Sequence, residues 1–444
     1  MTVIDLGELT DSPAELSVPA GRRRIPRALL AAATIVGLLL VGGSARPAPP
    51  FGLRPLWSRP VTGNDVPTFG PDAGYVFDGS ALTAYDLASG TIRWSTPVHD
   101  VEYGASPAGP VVLLGTEPVT VERQGADGDK YQFVFARATV ALSARTGAEI
   151  WRAGGNPILT DDSTALFEER NQHGEVARLR LTRLADGATI WTHAVPSSWI
   201  LSEDGGGRPD RLLTLDPTGE IKVFRYADGA LVRQGRLPEL AGRPPAREKV
   251  GLVPMGNLLA VVRQKQADPR ETTATVYRLD DLTRLWQHRG AEFNVRPCAP
   301  VFCVLGPTDA TGLDPATGRE LWRRPGMRGA WPAGPGRLLL DDGPDEAVRQ
   351  LVETATGRPI GPPARGRRVW SDGPAGSLLL LGRTTQPLGL TSVTLLDLTT
   401  GAQTPIGVIG AIVAEESCWA ETRYLACVDD GVLTVRTFGR PADG

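Results

Sequence analysis

The hydrophobic pattern of the chain is organised by one short phrase that recurs along it. Its clearest copies are YDLASGTIRW (85–94), LSARTGAEIW (142–151), TRLADGATIW (182–191) and LDPATGRELW (313–322). In each copy an alternating strand ends at a turn, a Gly supplies the positive φ of that turn, and a second alternating strand follows. The phrase predicts a β-hairpin, and its recurrence predicts a repeat protein.

Weaker copies extend the repeat over most of the chain: FRYADGALVR (224–233), YRLDDLTRLW (277–286), VETATGRPIG (352–361) and LDLTTGAQTP (396–405). The spacing is irregular but near the ~40–50 residues expected of one propeller blade. Short apolar strand pairs such as GPVVLLG (109–115) and SLLLLG (377–382) precede the phrases and bring each unit to about four strands. The pattern predicts an all-β protein with the β-propeller fold.

The Trp that closes the phrase is interpreted as a packing residue between blades. Period-2 geometry places Ile92 and Trp94 on one face of a strand and turns Arg93 to the other face. A Trp that stacks on a planar cofactor or a sugar would not need to recur around a ring. The structural repeat positions are Gly90, Trp94, Gly147, Trp151, Gly187, Trp191, Trp286, Gly318 and Trp322.

The two ends of the repeat region complement each other. PLWSRPV (55–61) resembles a last strand without its partners, and GVLTVRTFG (431–439) resembles a third strand without its successor. The N-terminal strand is therefore expected to complete the last blade and remove two exposed edges. Eight phrases and this composite unit make nine, one more than the usual upper limit. We predict eight blades, with a unit near Val352 or Tyr277 irregular or merged, and a range of seven to nine.

The chain before the repeats predicts a membrane anchor. Residues 28–43 form an uncharged apolar run, and Arg22, Arg23, Arg24 and Arg27 precede it. By the positive-inside rule this gives a cytoplasmic tail (1–27), one transmembrane helix (28–45), a Pro-rich linker (46–54) and an extracytoplasmic propeller (55–440) at the cell membrane. A cleaved signal peptide ending near residues 43–45 is the alternative. The long, acidic leader favours the uncleaved anchor.

Composition narrows the function. The 47 basic and 50 acidic residues leave a net charge of −3, which gives no electrostatic basis for nucleic-acid binding. The 52 Gly and 38 Pro suit many short strands joined by tight turns. The chain is expected to be monomeric apart from its membrane contact.

Four cysteines form two local pairs, Cys298 with Cys303 and Cys418 with Cys427. Each pair spans a tight connection between consecutive predicted strands, and an extracytoplasmic domain is an oxidising setting. Two disulfides are predicted. A four-Cys zinc site is the alternative, but the spacings are unlike those of paired zinc knuckles.

The pattern D-x-x-T-G-x-x-x-W, complete from Asp314 to Trp322, resembles the repeat of the PQQ-like (quinoprotein) β-propeller family over nearly all the chain after residue 50. That resemblance implies one of two branches: dehydrogenases that hold pyrroloquinoline quinone and calcium, or non-enzymatic scaffolds such as the propeller lipoprotein of the outer-membrane barrel assembly machine. The chain lacks the adjacent Cys-Cys pair of many quinoprotein alcohol dehydrogenases, and it also lacks the lipoprotein's anchoring Cys.

No catalytic, cofactor-binding or metal-binding residues are predicted. Paired aspartates coincide with predicted turns, and the histidines are isolated; these are Asp161-Asp162, Asp280-Asp281, Asp341-Asp342, Asp429-Asp430, His99, His173, His193 and His288. The sequence therefore favours a non-enzymatic scaffold that binds a protein, peptide or envelope polymer. The expected contact loops are 117–131 and 264–272. The alternatives are a small PQQ-dependent dehydrogenase and a ligand sensor that signals through the tail.

Overall fold

The structure is a computed structural model. It describes residues 52–438, except residues 64, 103, 125–129, 197–198, 202–208, 217, 238–239, 241–247, 266–267, 344–347, 370–375, 412–417 and 422. The predicted tail (1–27), the transmembrane helix (28–45) and most of the linker lie outside the described residues. Within the described ranges, no helix has the length and apolar character needed to cross a membrane.

Thirty-six strands among the described residues form nine antiparallel four-stranded sheets, here called blades 1 to 9. The first strand of the chain, β1 (Arg54–Pro60), belongs to blade 9. Blade 1 contains β2 (Val66–Phe69), β3 (Ala73–Phe77), β4 (Ala81–Asp86) and β5 (Ile92–Pro97). Blade 2 contains β6 (Ser106–Ala108), β7 (Val111–Gln124), β8 (Lys130–Ser143) and β9 (Glu149–Gly154). Blade 3 contains β10 (Asn156–Thr160), β11 (Thr164–Arg170), β12 (Val176–Arg183) and β13 (Thr189–Ala194).

The middle of the chain forms the next three blades. Blade 4 contains β14 (Trp199–Leu201), β15 (Arg211–Leu215), β16 (Glu220–Arg225) and β17 (Leu231–Arg236). Blade 5 contains β18 (Glu248–Met255), β19 (Leu258–Lys265), β20 (Asp268–Arg278) and β21 (Arg284–Gly290). Blade 6 contains β22 (Asn294–Cys298), β23 (Val301–Leu305), β24 (Asp309–Leu313) and β25 (Glu320–Pro325).

The C-terminal part completes the set. Blade 7 contains β26 (Gly329–Pro332), β27 (Arg337–Asp341), β28 (Val348–Glu353) and β29 (Ala364–Arg365). Blade 8 contains β30 (Arg367–Arg368), β31 (Ser377–Arg383), β32 (Thr391–Asp397) and β33 (Gln403–Ile409). Blade 9 contains β34 (Cys418–Glu421), β35 (Tyr424–Asp429), β36 (Val432–Thr437) and β1.

The blades close into a ring, and the core lies between them. Nine clusters of buried hydrophobic side chains each join two consecutive blades, and one of them packs Leu433 and Val435 of blade 9 against Val76 of blade 1. Strand β1 pairs with β36 from Arg54↔Thr437 to Pro60↔Val432, so the N-terminal strand is the outer strand of blade 9. The first strands of neighbouring blades lie at the centre of the ring, here called the central channel, and contact each other between blades 9 and 1, 1 and 2, 4 and 5, 5 and 6, and 6 and 7.

The β-propeller prediction is confirmed, but the prediction of eight blades is wrong. The phrase near Tyr277 forms a complete hairpin because Leu282 adopts a φ of 58° where other copies have Gly. The phrase near Val352 also makes four strands, although Pro-rich residues shorten the outermost, β29, to Ala364–Arg365. Neither unit merges with its neighbour, so every phrase contributes a blade.

The recurring Trp side chains join one blade to the next. Trp94 Nε1 donates to the carbonyl of Ala144 at 3.0 Å, and the φ of Gly147 in the same turn is 70°. A Cβ on Gly147 would lie 2.5 Å from Trp94 Cε3, so the ring requires Gly there. The same Trp-to-carbonyl bond recurs at 2.7–2.9 Å for Trp57, Trp151, Trp191, Trp286 and Trp322.

The prediction that Ile92 and Trp94 lie on one face of their strand is wrong. Trp94 pairs with Ala84, whereas Ile92 pairs with Tyr85, so the register shifts by one residue between Ala84 and Tyr85. This β-bulge breaks the alternation, so Ile92 is exposed whereas Trp94 is buried. Similar register shifts occur in the pairing between the third strand and the outer strand of blades 2 to 6.

Both predicted disulfides are confirmed. Cys298 is bonded to Cys303 across the β22–β23 connection, with their Cα atoms 5.7 Å apart. Cys418 is bonded to its direct cross-strand partner Cys427, with Cα atoms 4.1 Å apart. All four side chains are buried, and no free cysteine occurs among the described residues.

Candidate functional site

The strand order gives the ring two different faces. In blades 1 to 8 the connections between first and second strands and between third and fourth strands lie on one face, here called the turn face. The connections between second and third strands, and those leading to the next blade, lie on the other, here called the hairpin face. The phrase turns all belong to the turn face, and the extended hairpins belong to the hairpin face.

The carboxylates of the phrases have structural roles on the turn face. Asp86 Oδ1 accepts bonds from the backbone N of Ala88 (3.1 Å) and Ser89 (2.9 Å), and Asp86 Oδ2 accepts one from Arg93 (2.6 Å). The bond from Arg93 is the first cause that lowers the pKa of Asp86 to about 2; the Ser89 bonds add to it, and desolvation opposes it. Asp281, Asp314 and Asp397 cap their turns in the same way.

A large cavity of about 1190 Å³ also opens near the turn face, at blades 9 and 1 to 3. Its lining carries Asp72, Asp161 and Glu421 together with Arg93 and Arg145, so its charges are mixed. Asp161 Oδ1 accepts hydrogen bonds from the backbone N of Ser163 and Thr164, both at 2.7 Å. Asp161 therefore stabilises its own turn, and the lining as a whole has no single charge sign.

The two predicted contact loops are β-hairpin extensions on the hairpin face. The region 117–131 belongs to β7 and β8 of blade 2, and the region 264–272 belongs to β19 and β20 of blade 5. The blade 2 hairpin is anchored to blade 3, because the Arg170 guanidinium lies 5.0 Å from the Phe133 ring centroid and Arg123 donates to the Gly174 carbonyl. The hairpin tips, 125–129 and 266–267, lie outside the described residues.

A concave site begins beside the blade 5 hairpin. A pocket of about 590 Å³ lies between blades 5 and 6, with a largely apolar wall and a polar rim. The wall includes Val253, Val262, Phe293 and Leu305, and the rim includes Lys249, Gln264, Glu292 and Arg328. The Phe293 and His288 rings are 5.1 Å apart, and burial, with a smaller contribution from Arg323, lowers the pKa of His288. Apolar walls with a few polar groups are typical of ligand sites.

A second cavity continues the site into the central channel. Its volume is about 420 Å³, and its lining comes from the first strands of blades 4 to 7, including Leu252, Arg296 and Pro332. Val253 and Asn294 line both cavities. The hairpin-face pocket and the channel cavity are therefore neighbours that share a wall.

Three large side chains meet at the channel on neighbouring blades. Trp331 comes from β26, and the guanidinium carbons of Arg296 on β22 and Arg368 on β30 lie 4.5 and 5.4 Å from its ring centroid. Both distances are within the range of cation–π attraction. We call Arg296, Trp331 and Arg368 the channel triad.

A buried ion pair fixes the orientation of the triad. Trp331 Nε1 donates to Asp341 Oδ2 at 2.6 Å, and Arg349 Nη1 lies 3.1 Å from the same oxygen. Asp341 and Arg349 are both 6% exposed, so their charges neutralise each other inside the protein. Gly329 is required beside them, because a Cβ there would lie 2.3 Å from Asp341 Oδ1.

The Cys298–Cys303 disulfide supports the strand that carries Arg296. Arg296 pairs with Cys303 in the β22–β23 ladder, and Cys303 is bonded back to Cys298 at the end of β22. The disulfide thus holds the Arg296 backbone within a closed hairpin. Covalent support of this kind limits the movement of the side chain that it presents.

Sequence reasoning and the structure assign different residues to different roles. The predicted Gly and Trp positions lie at the joints between blades and not at the channel. The sequence reasoning missed Arg296, Trp331, Arg368 and Arg349, and it interpreted Asp341 as a turn residue. Trp331 lies outside the phrase register, and this departure is the signal that could have identified it.

The described residues do not fit the calcium and quinone that the quinoprotein resemblance implies. Calcium takes about six to eight oxygen ligands, often from carboxylates. Asp341, the carboxylate beside Trp331, is already bound to Trp331 and Arg349. In the described part of the chain, no group of three or more His, Cys, Asp or Glu side chains could hold a metal ion. No chemistry is therefore assigned to that cofactor.

The fold defines the chain as a nine-bladed β-propeller. The sequence matches no protein-family model and no curated protein. Among solved structures, it is similar to BamB from Moraxella catarrhalis (12% identity, TM-score 0.37, covering 65% of this chain and 96% of that one). It is also similar to a eukaryotic initiation factor (10%, 0.49, covering 83% and 93%) and to dihydro-heme d1 dehydrogenase NirN (12%, 0.39, covering 72% and 75%). These similarities concern the fold alone.

Proposed function

We propose that this protein is a binding scaffold of the bacterial cell envelope, held at the membrane by its N-terminal segment with the propeller outside, and that it has no catalytic activity. The observation that carries the proposal is the site between blades 5 and 8, where a pocket on the hairpin face with an apolar wall adjoins a channel cavity that Arg296 of the triad lines. Binding sites on propellers use loops and channels that a rigid ring positions.

The chemistry of this site supports binding better than catalysis. Its charged groups include the cations Arg296, Arg368, Lys249 and Arg328 beside the carboxylate Glu292, and guanidinium and ammonium groups have no lone pair with which to accept a proton as a general base. The Arg328 guanidinium is itself held by the carbonyl of Asp342, where Nε donates at 2.6 Å. An apolar surface on which cations outnumber carboxylates is suited to recognising a partner.

The membrane part of the proposal rests on the sequence. The apolar run 28–43 follows four arginines and precedes a Pro-rich segment, as expected of an uncleaved anchor. A reporter active only in the cytoplasm, fused to the N-terminus, should be active, and external protease should degrade the propeller in intact spheroplasts. Release of the propeller into the medium without the first 45 residues would contradict the anchor.

Site-specific photocrosslinking in the full-length chain tests the scaffold. A photoreactive residue at Gln264, on the rim of the pocket, should give discrete crosslinked products in the cell envelope. The same residue at Arg319, an exposed position on the turn face, should give few. Equal crosslinking from both positions, or none from Gln264, would contradict a scaffold that uses the hairpin face.

The quinoprotein alternative has its own experiment. Addition of pyrroloquinoline quinone and Ca²⁺ to the purified full-length protein should leave the cofactor spectrum unshifted and give no dye-linked oxidation of alcohols or sugars. A shifted spectrum together with dye reduction would replace the scaffold proposal by that of a dehydrogenase.

A further inference from the structure

We infer that the channel triad and the adjoining pocket bind an acidic peptide segment, with a carboxylate at Arg296 and Arg368 and an apolar side chain in the pocket. The inference rests on the proposed scaffold function and specifies its ligand. It begins from the position of the triad, which joins the first strands of blades 6, 7 and 8 at the channel. Three separate blades thus bring their side chains to one point.

The charge balance around Trp331 indicates an anion. Asp341 is neutralised by Arg349, and both are buried, so this pair adds no net charge to the channel. Arg296 is partly buried, stacks on Trp331, and forms no ion pair with any carboxylate among the described residues. Arg368 adds a second cation beside the same ring. Arg296, a partly desolvated cation with no carboxylate partner among the described residues, is in an unfavourable environment, and an incoming anion removes that cost.

The guanidinium group restricts the class of anion. Its planar fork binds carboxylates and phosphates through two parallel hydrogen bonds, while its face remains available for stacking on an aromatic ring. Arg296 already has the stacked contact with Trp331 at 4.5 Å. The expected ligand group is therefore a planar or tetrahedral oxyanion that binds the edge of the guanidinium.

The neighbouring pocket distinguishes a peptide from a phosphate polymer. Its wall of Val253, Val262, Phe293 and Leu305 offers apolar surface that phosphates cannot fill favourably. A peptide that alternates acidic and bulky apolar residues supplies both groups, because the two cavities share Val253 and Asn294. Lys249 and Arg328 on the rim can pair with a further carboxylate.

The site is also organised before the ligand arrives. The disulfide fixes β22, the Asp341–Arg349 pair fixes Trp331, and Arg368 Nη1 is 3.4 Å from the carbonyl of Pro332. A group that is already ordered loses less conformational entropy on binding. Replacement of Arg296 should therefore lower affinity with little effect on the fold of the ring.

The test titrates the full-length protein in detergent with the acetylated, amidated pentapeptide ELEFE, its neutral counterpart QLQFQ, and tripolyphosphate. ELEFE should bind, more weakly as salt rises, and QLQFQ should bind at least about tenfold more weakly. Arg296→Gln should raise the Kd for ELEFE about tenfold to a hundredfold, and Arg296→Lys should raise it less. Arg319→Gln, on the turn face, is the matched control and should leave the Kd unchanged.

Several outcomes would overturn the inference: equal affinity for ELEFE and QLQFQ, an unchanged Kd in Arg296→Gln, or binding of tripolyphosphate without ELEFE. If Arg296→Gln does not fold, the comparison of Arg296→Lys with the control decides. Crosslinking from Gln264 without ELEFE binding would remove the acidic-peptide ligand but leave the scaffold proposal standing. The absence of both would remove both.

Discussion

We predict that a single methyl group added at the joint between blades 1 and 2 strongly lowers the stability of the protein. Gly147 has a φ of 70°, and a Cβ there would lie 2.5 Å from Trp94 Cε3 and 2.6 Å from Thr96 Oγ1. Gly147→Ala therefore combines left-handed strain of about 1–2 kcal/mol with overpacking of about 1–3 kcal/mol. The expected loss is about 2–5 kcal/mol in the free energy of unfolding, measured from the midpoint of urea denaturation followed by fluorescence.

A second glycine separates the two contributions. Gly336 has a φ of 66° but nothing within 4 Å of its would-be Cβ, so Gly336→Ala should show only the strain, about 1–2 kcal/mol. Removing the ring with Trp94→Leu should relieve the overpacking of Gly147→Ala, so that the double variant loses less than the sum of the single losses. Equal losses for the two glycine variants, or simple additivity with Trp94→Leu, would refute the steric account of the joint.

Three further predictions concern stability. Replacing both Cys418 and Cys427 by Ala should lower the free energy of unfolding by about 2–3 kcal/mol, as expected for a short loop, and an unchanged urea midpoint would contradict it. The pKa of Asp86 is lowered from 3.8 to about 2, so its stabilisation is complete well above pH 4 and lost between about pH 4 and pH 2. Asp86→Asn should flatten that part of the stability curve, by less than about 1 kcal/mol because solvent reaches about a third of each side chain of the pair with Arg93 and screens it. A decline as steep as that of the unaltered protein would exclude this role. The joint between blades 4 and 5 has Arg233 and Leu282 where the six Trp joints have Trp and a turn Gly, so Arg233→Trp with Leu282→Gly should raise the denaturation midpoint, whereas Arg233→Trp alone should lower it because the Leu282 side chain would meet the ring, as a Cβ on Gly147 would meet Trp94.

The sequence predicted the elements that repeat and missed those that occur once. The phrase gave the hairpin, the turn glycines and the propeller, because each copy satisfies the same local constraints of turn and strand. It could not reveal the β-bulge before Trp94, since a bulge is a shift in the pairing of two strands and the types of residue in either strand do not show it. Ile92 was therefore assigned to the wrong face.

The blade number was misjudged for a related reason. The chain contains nine units, but eight were predicted because the units near Tyr277 and Val352 depart from the phrase. In the first, Leu282 replaces Gly at positive φ, and in the second the outer strand shrinks to Ala364–Arg365. Both blades are stabilised by packing against their neighbours, a tertiary effect that a comparison of short phrases does not detect.

The candidate site lay beyond prediction because it is assembled from three blades. Arg296, Trp331 and Arg368 are separated by 35 and 37 positions in the chain, and no short motif connects them. Their proximity follows only from equivalent places on neighbouring first strands. The paired carboxylate Asp341 was interpreted as a turn residue because its partner Arg349 lies on the next strand, where its role depends on cross-strand register.

Two of the departures from the repeat occur in blades 7 and 8, which carry two residues of the candidate site. Between blades 7 and 8 the Trp position is held by Gly361, whose Cβ would meet the Gly401 Cα at 2.7 Å, and in blade 8 that position is held by Pro405. These are the blades that carry Trp331 and Arg368. Six joints keep Trp, those between blades 9 and 1, 1 and 2, 2 and 3, 3 and 4, 5 and 6, and 6 and 7. Sequences depart from local rules where function requires other residues, so the irregular blades are the part of the ring where variants should affect binding more than folding.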